Sequence, residues 1–166
     1  FSLLIGVIMC EATVRLLGIA PRIGLIRTGE GYPYRLSDNP VLGYVFRENY
    51  RNSDATGYFR YPFINSHGFR DIERSYEKPA DEKRIIVLGD SIVAGMGLRD
   101  LDNTIPRQLE ALLTDKGVEV LNFGINGYCT RAEVELLKER GLRYDPDLVM
   151  LAFYRNDYDN FNNDLG

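Results

Sequence analysis

The chain has 166 residues, 45% hydrophobic and 27% charged, which suits one ordinary domain with a real core and excludes a disordered chain. Its net charge is −4 (20 Lys and Arg against 24 Asp and Glu); there are 12 basic and 10 acidic residues through Arg84, then 8 and 14 after it. An acidic second half argues against nucleic acid as a partner, because phosphate recognition needs a concentrated basic face. Two cysteines and one histidine exclude a disulfide framework and a zinc set of Cys/His ligands.

Residues 1–20 open with "FSLLIGVIMC", an apolar run, followed by "EATVRLLGIAP" with Glu11 and Arg15 at helical i, i+4 spacing. The run is shorter than the roughly 20 residues that span a bilayer. It reads as the tail of a signal-like or membrane-anchor helix, with an amphipathic helix packed on the domain as the alternative. The anchor reading places the protein at a membrane or exported, in a periplasmic or extracellular setting. "VIMC" lacks the small residues that precede a lipidated cysteine.

Residues 21–80 form a loop-rich lead-in. "NPVLGYVF" and "YFRYPFI" are candidate short strands, rich in aromatic and β-branched residues. Six of the 11 tyrosines lie between Tyr32 and Tyr61. They are expected to pack the lead-in onto the core with their hydroxyls in water, stacking on a sugar being the alternative. The charged connector "YEKPADEKR" (76–84) leads into the main domain, placed at 81–166.

"RIIVLGDS" predicts a buried strand ending in glycine. "DNTIPRQLEALLTDKG" predicts a helix with Thr104 as N-cap, Pro106 in the first turn, Gly117 as its stop and a stripe of Ile105, Leu109, Leu112 and Leu113. "VEVLNFG" is a second strand and "NGYC" a turn holding Cys129, read as a small buried hydrophobe. "TRAEVELLKERG" is a second helix, with Thr130 and Glu133 as a capping box and Gly141 past its end. "DLVMLAF" is a third strand. Strands alternating with helices imply an α/β fold with a parallel sheet, whose ligand site lies at the carboxyl ends of the strands. Three polar clusters fall there: Gly89-Asp90-Ser91, Asn122 to Gly127, and Tyr154 to Asp157.

A serine that attacks an ester needs a base, oxyanion donors and a group that holds the base. Ser91 offers the hydroxyl. A backbone N–H near Gly127, with Gly124 as the competing donor, and the amide of Asn156 offer oxyanion donors. Asp90 and Asp157 read as loop-holding carboxylates.

At these residues the chain resembles the SGNH or GDSL hydrolases. "GDSIVAG" is similar to the block that carries the nucleophile, "NFGINGY" to the block with the oxyanion glycine and "FYRND" to the block with the oxyanion asparagine. The likeness spans about residues 40–160 and includes the upstream "INSHGFRD" and "NPVLGYVF", which look like larger membrane-associated or secreted members. It implies a three-layer α/β/α sandwich with a flavodoxin-like parallel sheet. It also implies catalytic roles for Ser91, Gly127 and Asn156, and ester hydrolysis without metal or organic cofactor. Substrates would be small-molecule or glycan acyl esters, with deacetylation of glycans or acetyl transfer to them as variants.

Two departures stand out. Tyr154 occupies a position that is usually glycine, and no Asp-x-x-His follows the third strand. The expectation is therefore an amino-terminal part of a longer protein, with the fold incomplete at the C-terminus and the chain alone nearly inactive. His67, in "NSHGFRD", reads as a turn histidine rather than a substitute base. The acidic tail "NDYDNFNNDLG" lacks the pattern of a calcium loop, and "GDSIVAGMG" lacks the Gly-Lys-Ser/Thr of a phosphate loop. The rival function is a non-catalytic binding or scaffold protein on the same fold.

Overall fold

A computed structural model describes residues 2–16, 28, 31–52, 61–155 and 157. Helix α1 (Ser2–Leu16) is followed by a small antiparallel pair, β1 (Tyr34–Leu36) and β2 (Tyr44–Phe46), in the lead-in. The main sheet contains β3 (Lys83–Gly89), β4 (Val118–Gly124) and β5 (Leu148–Leu151), in the order β4-β3-β5 with all pairings parallel. Between strands lie α2 (Ser91–Ala94), α3 (Ile105–Leu112) and α4 (Thr130–Glu139), with short 3-10 turns at Leu101–Asn103, Thr114–Lys116 and Gly141–Tyr144.

The two-residue period of the strands sorts their side chains onto two faces. Ile86, Leu88, Leu121 and Phe123 share one core with Ala132 and Leu136 of α4. Val87 and Val120 face the other way, against Val93 of α2 and Leu109 and Leu113 near α3. Helices thus cover both faces of a parallel sheet, giving the three-layer α/β/α arrangement expected from the alternating pattern.

The lead-in belongs to the first of these cores. Tyr34, Leu42, Val45, Phe46, Tyr50, Tyr61, Ile64 and Phe69 are all buried in the cluster that holds Ile86 and Phe123. Phe69 stacks on Phe123 with centroids 4.0 Å apart. The expectation that the tyrosine hydroxyls stay in water fails for buried Tyr50 and Tyr61 and for half-buried Tyr44. Tyr50 Oη donates to Gly31 O (3.0 Å), Tyr44 Oη to Asn126 O (2.6 Å) and Tyr61 Oη to Asn126 Oδ1 (2.5 Å). A buried hydroxyl without a partner costs about 1–3 kcal/mol, so these rings settle where a carbonyl waits. "NPVLGYVF" contains β2. The described part of "YFRYPFI" gives a single bridge, Arg51 to Phe63, and its first residues, 58–60, lie outside the described residues.

Three local expectations are corrected. The helix after β4 has Cys129, not Thr130, at its N-cap, with no side-chain cap bond, so the capping box does not form. Glu133 is instead fully buried, because the spacing that suits a capping box also aligns it with the inward stripe of Ala132 and Leu136. Thr104 is the N-cap residue of α3, yet its hydroxyl turns back to Leu101 O (2.8 Å) and makes no cap bond. Of the predicted stripe on α3, Leu109 and Leu113 pack inward while Ile105 and Leu112 are exposed, since the helix stops at Leu112 and tightens into a 3-10 turn that ends at Gly117.

Strand β5 is exposed along its whole length. Leu148, Val149, Met150 and Leu151 therefore form an uncovered apolar edge among the described residues. At the other end of the chain, α1 exposes Leu4, Ile5, Val7, Ile8 and Met9. Among the described residues no helix is long and apolar enough to cross a membrane.

Candidate active site

Strand β3 delivers its last residue, Gly89, to the rim of the sheet, where it is in register with Gly124, the last residue of β4. Both positions are glycine for a steric reason. A Cβ on Gly89 would lie 2.3 Å from Val93 Cγ2, and one on Gly124 would lie 2.2 Å from the backbone nitrogen of Ala94. Helix α2 is thereby seated directly across the ends of the two strands, and Ser91 is its first residue.

Asp90 caps this helix by accepting from Ile92 N (2.8 Å). It does what the sequence suggested, holding the turn. At the other end Gly95 adopts φ +76° and closes the helix with its N–H on Ile92 O. Asn122, inside β4, locks the seat: its Nδ2 donates to Val93 O (3.1 Å) and its Oδ1 accepts from Gly124 N (3.0 Å).

The second cluster turns at the same rim. Ile125 N donates to Gly89 O (3.0 Å), and Tyr128 N closes the turn on Ile125 O (3.2 Å). Gly127 is exposed at φ +77°, and a Cβ there would lie 2.8 Å from Tyr44 Oη. The third cluster also arrives there: Ala152 N donates to Leu88 O (3.0 Å). Tyr154 and Asp157 form a closed turn, with Tyr154 N on Asp157 Oδ2 (2.8 Å) and Asp157 N on Tyr154 O (3.0 Å). Asp157 is buried, so it too holds a loop. Asn156 lies outside the described residues, as does the acidic tail from residue 158 onward. The structure thus brings the Ser91 turn, the turn of Gly127 and the segment that precedes Asn156 to one edge of one sheet.

Beneath that edge lies a group that the sequence pattern offered only as half of a capping box. Glu133 is fully buried, and neither carboxyl oxygen has a hydrogen-bond partner among the described residues. Burial, then the charges of Asp157 and Asp90, push its pKa up to about 8. Asp157 is raised as well, first by burial and also by Asp90, against the lowering bond from Tyr154 N. Ionising all three together is unfavourable, so Glu133 carries its proton at neutral pH. Its helical period, shared with Ala132 and Leu136, was the available signal.

His67 is committed elsewhere. Its ring stacks on Tyr76 (centroids 4.3 Å apart), and Nδ1 hydrogen-bonds Tyr144 Oη. It lines a polar cavity of about 340 Å³ with Tyr76, Arg140 and Arg143, formed by the lead-in and the end of α4. Cys129 is buried, as expected, and Cys10 is exposed on α1. No group of three metal-ligating side chains occurs among the described residues.

The chain is similar in structure to the crystal structure of AlinE4, an SGNH-hydrolase family esterase (23% identity, TM-score 0.37). It is also similar to a Ser-to-Ala mutant of the esterase AlinE4 (21% identity, TM-score 0.39). In both cases 53% of this chain matches 53% of the other, so the chain spans about half the length of these solved structures. No curated protein matches the chain. Residues 87–164 match the family model of the GDSL-like Lipase/Acylhydrolase family, a stretch that begins in β3 just before Ser91. Over that stretch the chain is similar to the GDSL-like lipases and acylhydrolases.

Proposed function

We propose that the protein hydrolyses carboxylic acyl esters with Ser91 as nucleophile, the Gly127 amide and the Asn156 side chain as oxyanion donors, and a histidine held by an aspartate from chain beyond this segment as base. The observation that supports this most is the seat of α2. Two glycines in register admit a four-residue helix across the strand ends, and Ser91 is its first residue, at the rim where the Gly127 turn arrives. Attack by Ser91 Oγ on the ester carbonyl forms a tetrahedral intermediate. Preorganised donors would stabilise its oxygen, each contributing on the order of 10²–10³ in rate. Without a base the serine is an ordinary alcohol, so the segment alone is expected to be nearly inactive.

The uncovered apolar edge at β5 fits further strands of the same sheet pairing there in a longer protein. The substrate class proposed is small-molecule or glycan acyl esters, with deacetylation of glycans or acetyl transfer to them as variants. The exposed apolar face of α1 supports membrane association of an exported domain, which co-flotation with lipid vesicles, lost when residues 1–20 are removed, would test. For the activity itself, a fluorophosphonate should label the complete protein at Ser91, and Ser91→Ala should abolish both labelling and esterase turnover. A complete protein that binds glycan yet neither labels nor turns over an acyl ester would establish the scaffold reading instead.

A further inference from the structure

The nucleophile helix is four residues long. An isolated helix that short does not persist, so something outside it must fix where Ser91 sits. Asp90 and Asn122 hold its start and middle. Its end is held from the lead-in. Arg70, in the "GFRD" of that segment, is buried, and its Nη1 donates to Ala94 O (2.7 Å) and Gly95 O (2.5 Å). Its Nη2 donates to Leu98 O and reaches Arg99 O at 3.5 Å. A cation on the last carbonyls of a helix complements the Asp90 carboxylate at its first amides.

The same guanidinium lies over the ring of Tyr61, 4.4 Å from its centroid. Tyr61 Oη in turn donates to Asn126 Oδ1 (2.5 Å), the residue before Gly127, whose carbonyl accepts from Tyr44 Oη. Asp71, the next residue along, accepts from Asn122 N (3.1 Å) with its buried carboxylate. One short stretch of the lead-in therefore touches both the turn that carries Ser91 and the turn that carries Gly127.

We propose that Arg70 is a positioning residue for Ser91, and that Arg70 and Tyr61 together brace the nucleophile turn against the oxyanion turn. The inference rests on the hydrolase reading for its kinetic arm only. Loss of the fork would free the end of α2 and take the guanidinium donor from the carbonyls of Ala94 and Gly95. A displacement of about 1 Å at a reacting atom costs on the order of 10²-fold in rate.

The test uses the complete protein with a fluorophosphonate probe, and Arg84→Ala as the comparison. Arg84 is also fully buried but binds Glu119 and the carbonyl of Tyr144, near the opposite end of β3 from Ser91. At a temperature where circular dichroism shows each variant folded, Arg70→Ala should label at Ser91 on the order of 10²-fold more slowly than the parent, with partial recovery on adding methylguanidinium. Tyr61→Phe should show a smaller loss, and Arg84→Ala should label at the parent rate. Where Arg70→Ala does not fold, Arg70→Lys, which keeps the charge but not the fork, serves with the same expectation of slowed labelling. Hydrogen exchange is read in parallel: the amides of residues 92–98 should lose protection in the Arg70 variant and keep it in Arg84→Ala. A folded Arg70 variant with parent labelling rate and unchanged protection overturns the brace, as does equal slowing in Arg84→Ala. If the parent itself does not label, the hydrolase reading fails, and the exchange arm alone decides whether Arg70 holds the turn.

Discussion

Replacing Glu133 by glutamine keeps the side chain's shape and removes its titration. The buried carboxyl has a pKa of about 8 in the folded chain against an ordinary value of 4.5, set by burial and by the charges of Asp157 and Asp90. Below about pH 4.5 the group is protonated in both folded and unfolded chains and costs nothing. From there to about pH 8 the folded chain keeps a proton that the unfolded chain has released, so stability falls as pH rises. Each pH unit in that window removes about 1.4 kcal/mol, or roughly 3 kcal/mol by pH 7. Asp71, whose burial pushes it up to about 6, titrates alike in both proteins and cancels in the difference. Urea denaturation of parent and Glu133→Gln at matched concentration, from pH 4.5 to 8, should therefore show the glutamine variant gaining about 3 kcal/mol on the parent by pH 7. A difference that stays flat across the range would mean that Glu133 ionises normally in the folded state, and would refute the account of the site's acidic floor.

Gly124→Ala places a Cβ 2.2 Å from the backbone of Ala94, which no side-chain rotation relieves. Its cost should reach the upper end of the roughly 1–3 kcal/mol seen for overpacking, measured as a shift in denaturation midpoint, and Ser91 labelling should fall with it. The bare β5 edge should make the 166-residue chain self-associate, so its sedimentation should depend on concentration. His67→Ala should leave Ser91 labelling of the complete protein unchanged, because the imidazole is bound to Tyr144 and stacked on Tyr76.

Strands β3 and β4 were legible because each is an apolar run ending in a glycine whose lack of a side chain the packing requires. Ser91 and Gly127 could be picked out for the same reason: both follow such a run. That the lead-in packs onto the core was legible from its tyrosines, but not which partners it finds there. Its tyrosines and Arg70 find partners 19 to 82 residues away, and nothing in the local pattern marks those pairings. Glu133 was misread because Thr-x-x-Glu is a strong local signal, whereas the burial of that face depends on which side of the sheet α4 covers. The exposure of Leu112 likewise follows from where the helix ends rather than from its period.

The central claim is that Ser91 and the Gly127 and Asn156 donors meet on one reacting group. A crystal structure of the complete protein phosphonylated at Ser91 tests it directly. The account predicts the phosphonyl oxygen about 2.7–3.1 Å from both the Gly127 nitrogen and the Asn156 side-chain amide. An adduct whose oxygen points to solvent, with either donor out of hydrogen-bonding range, would contradict it.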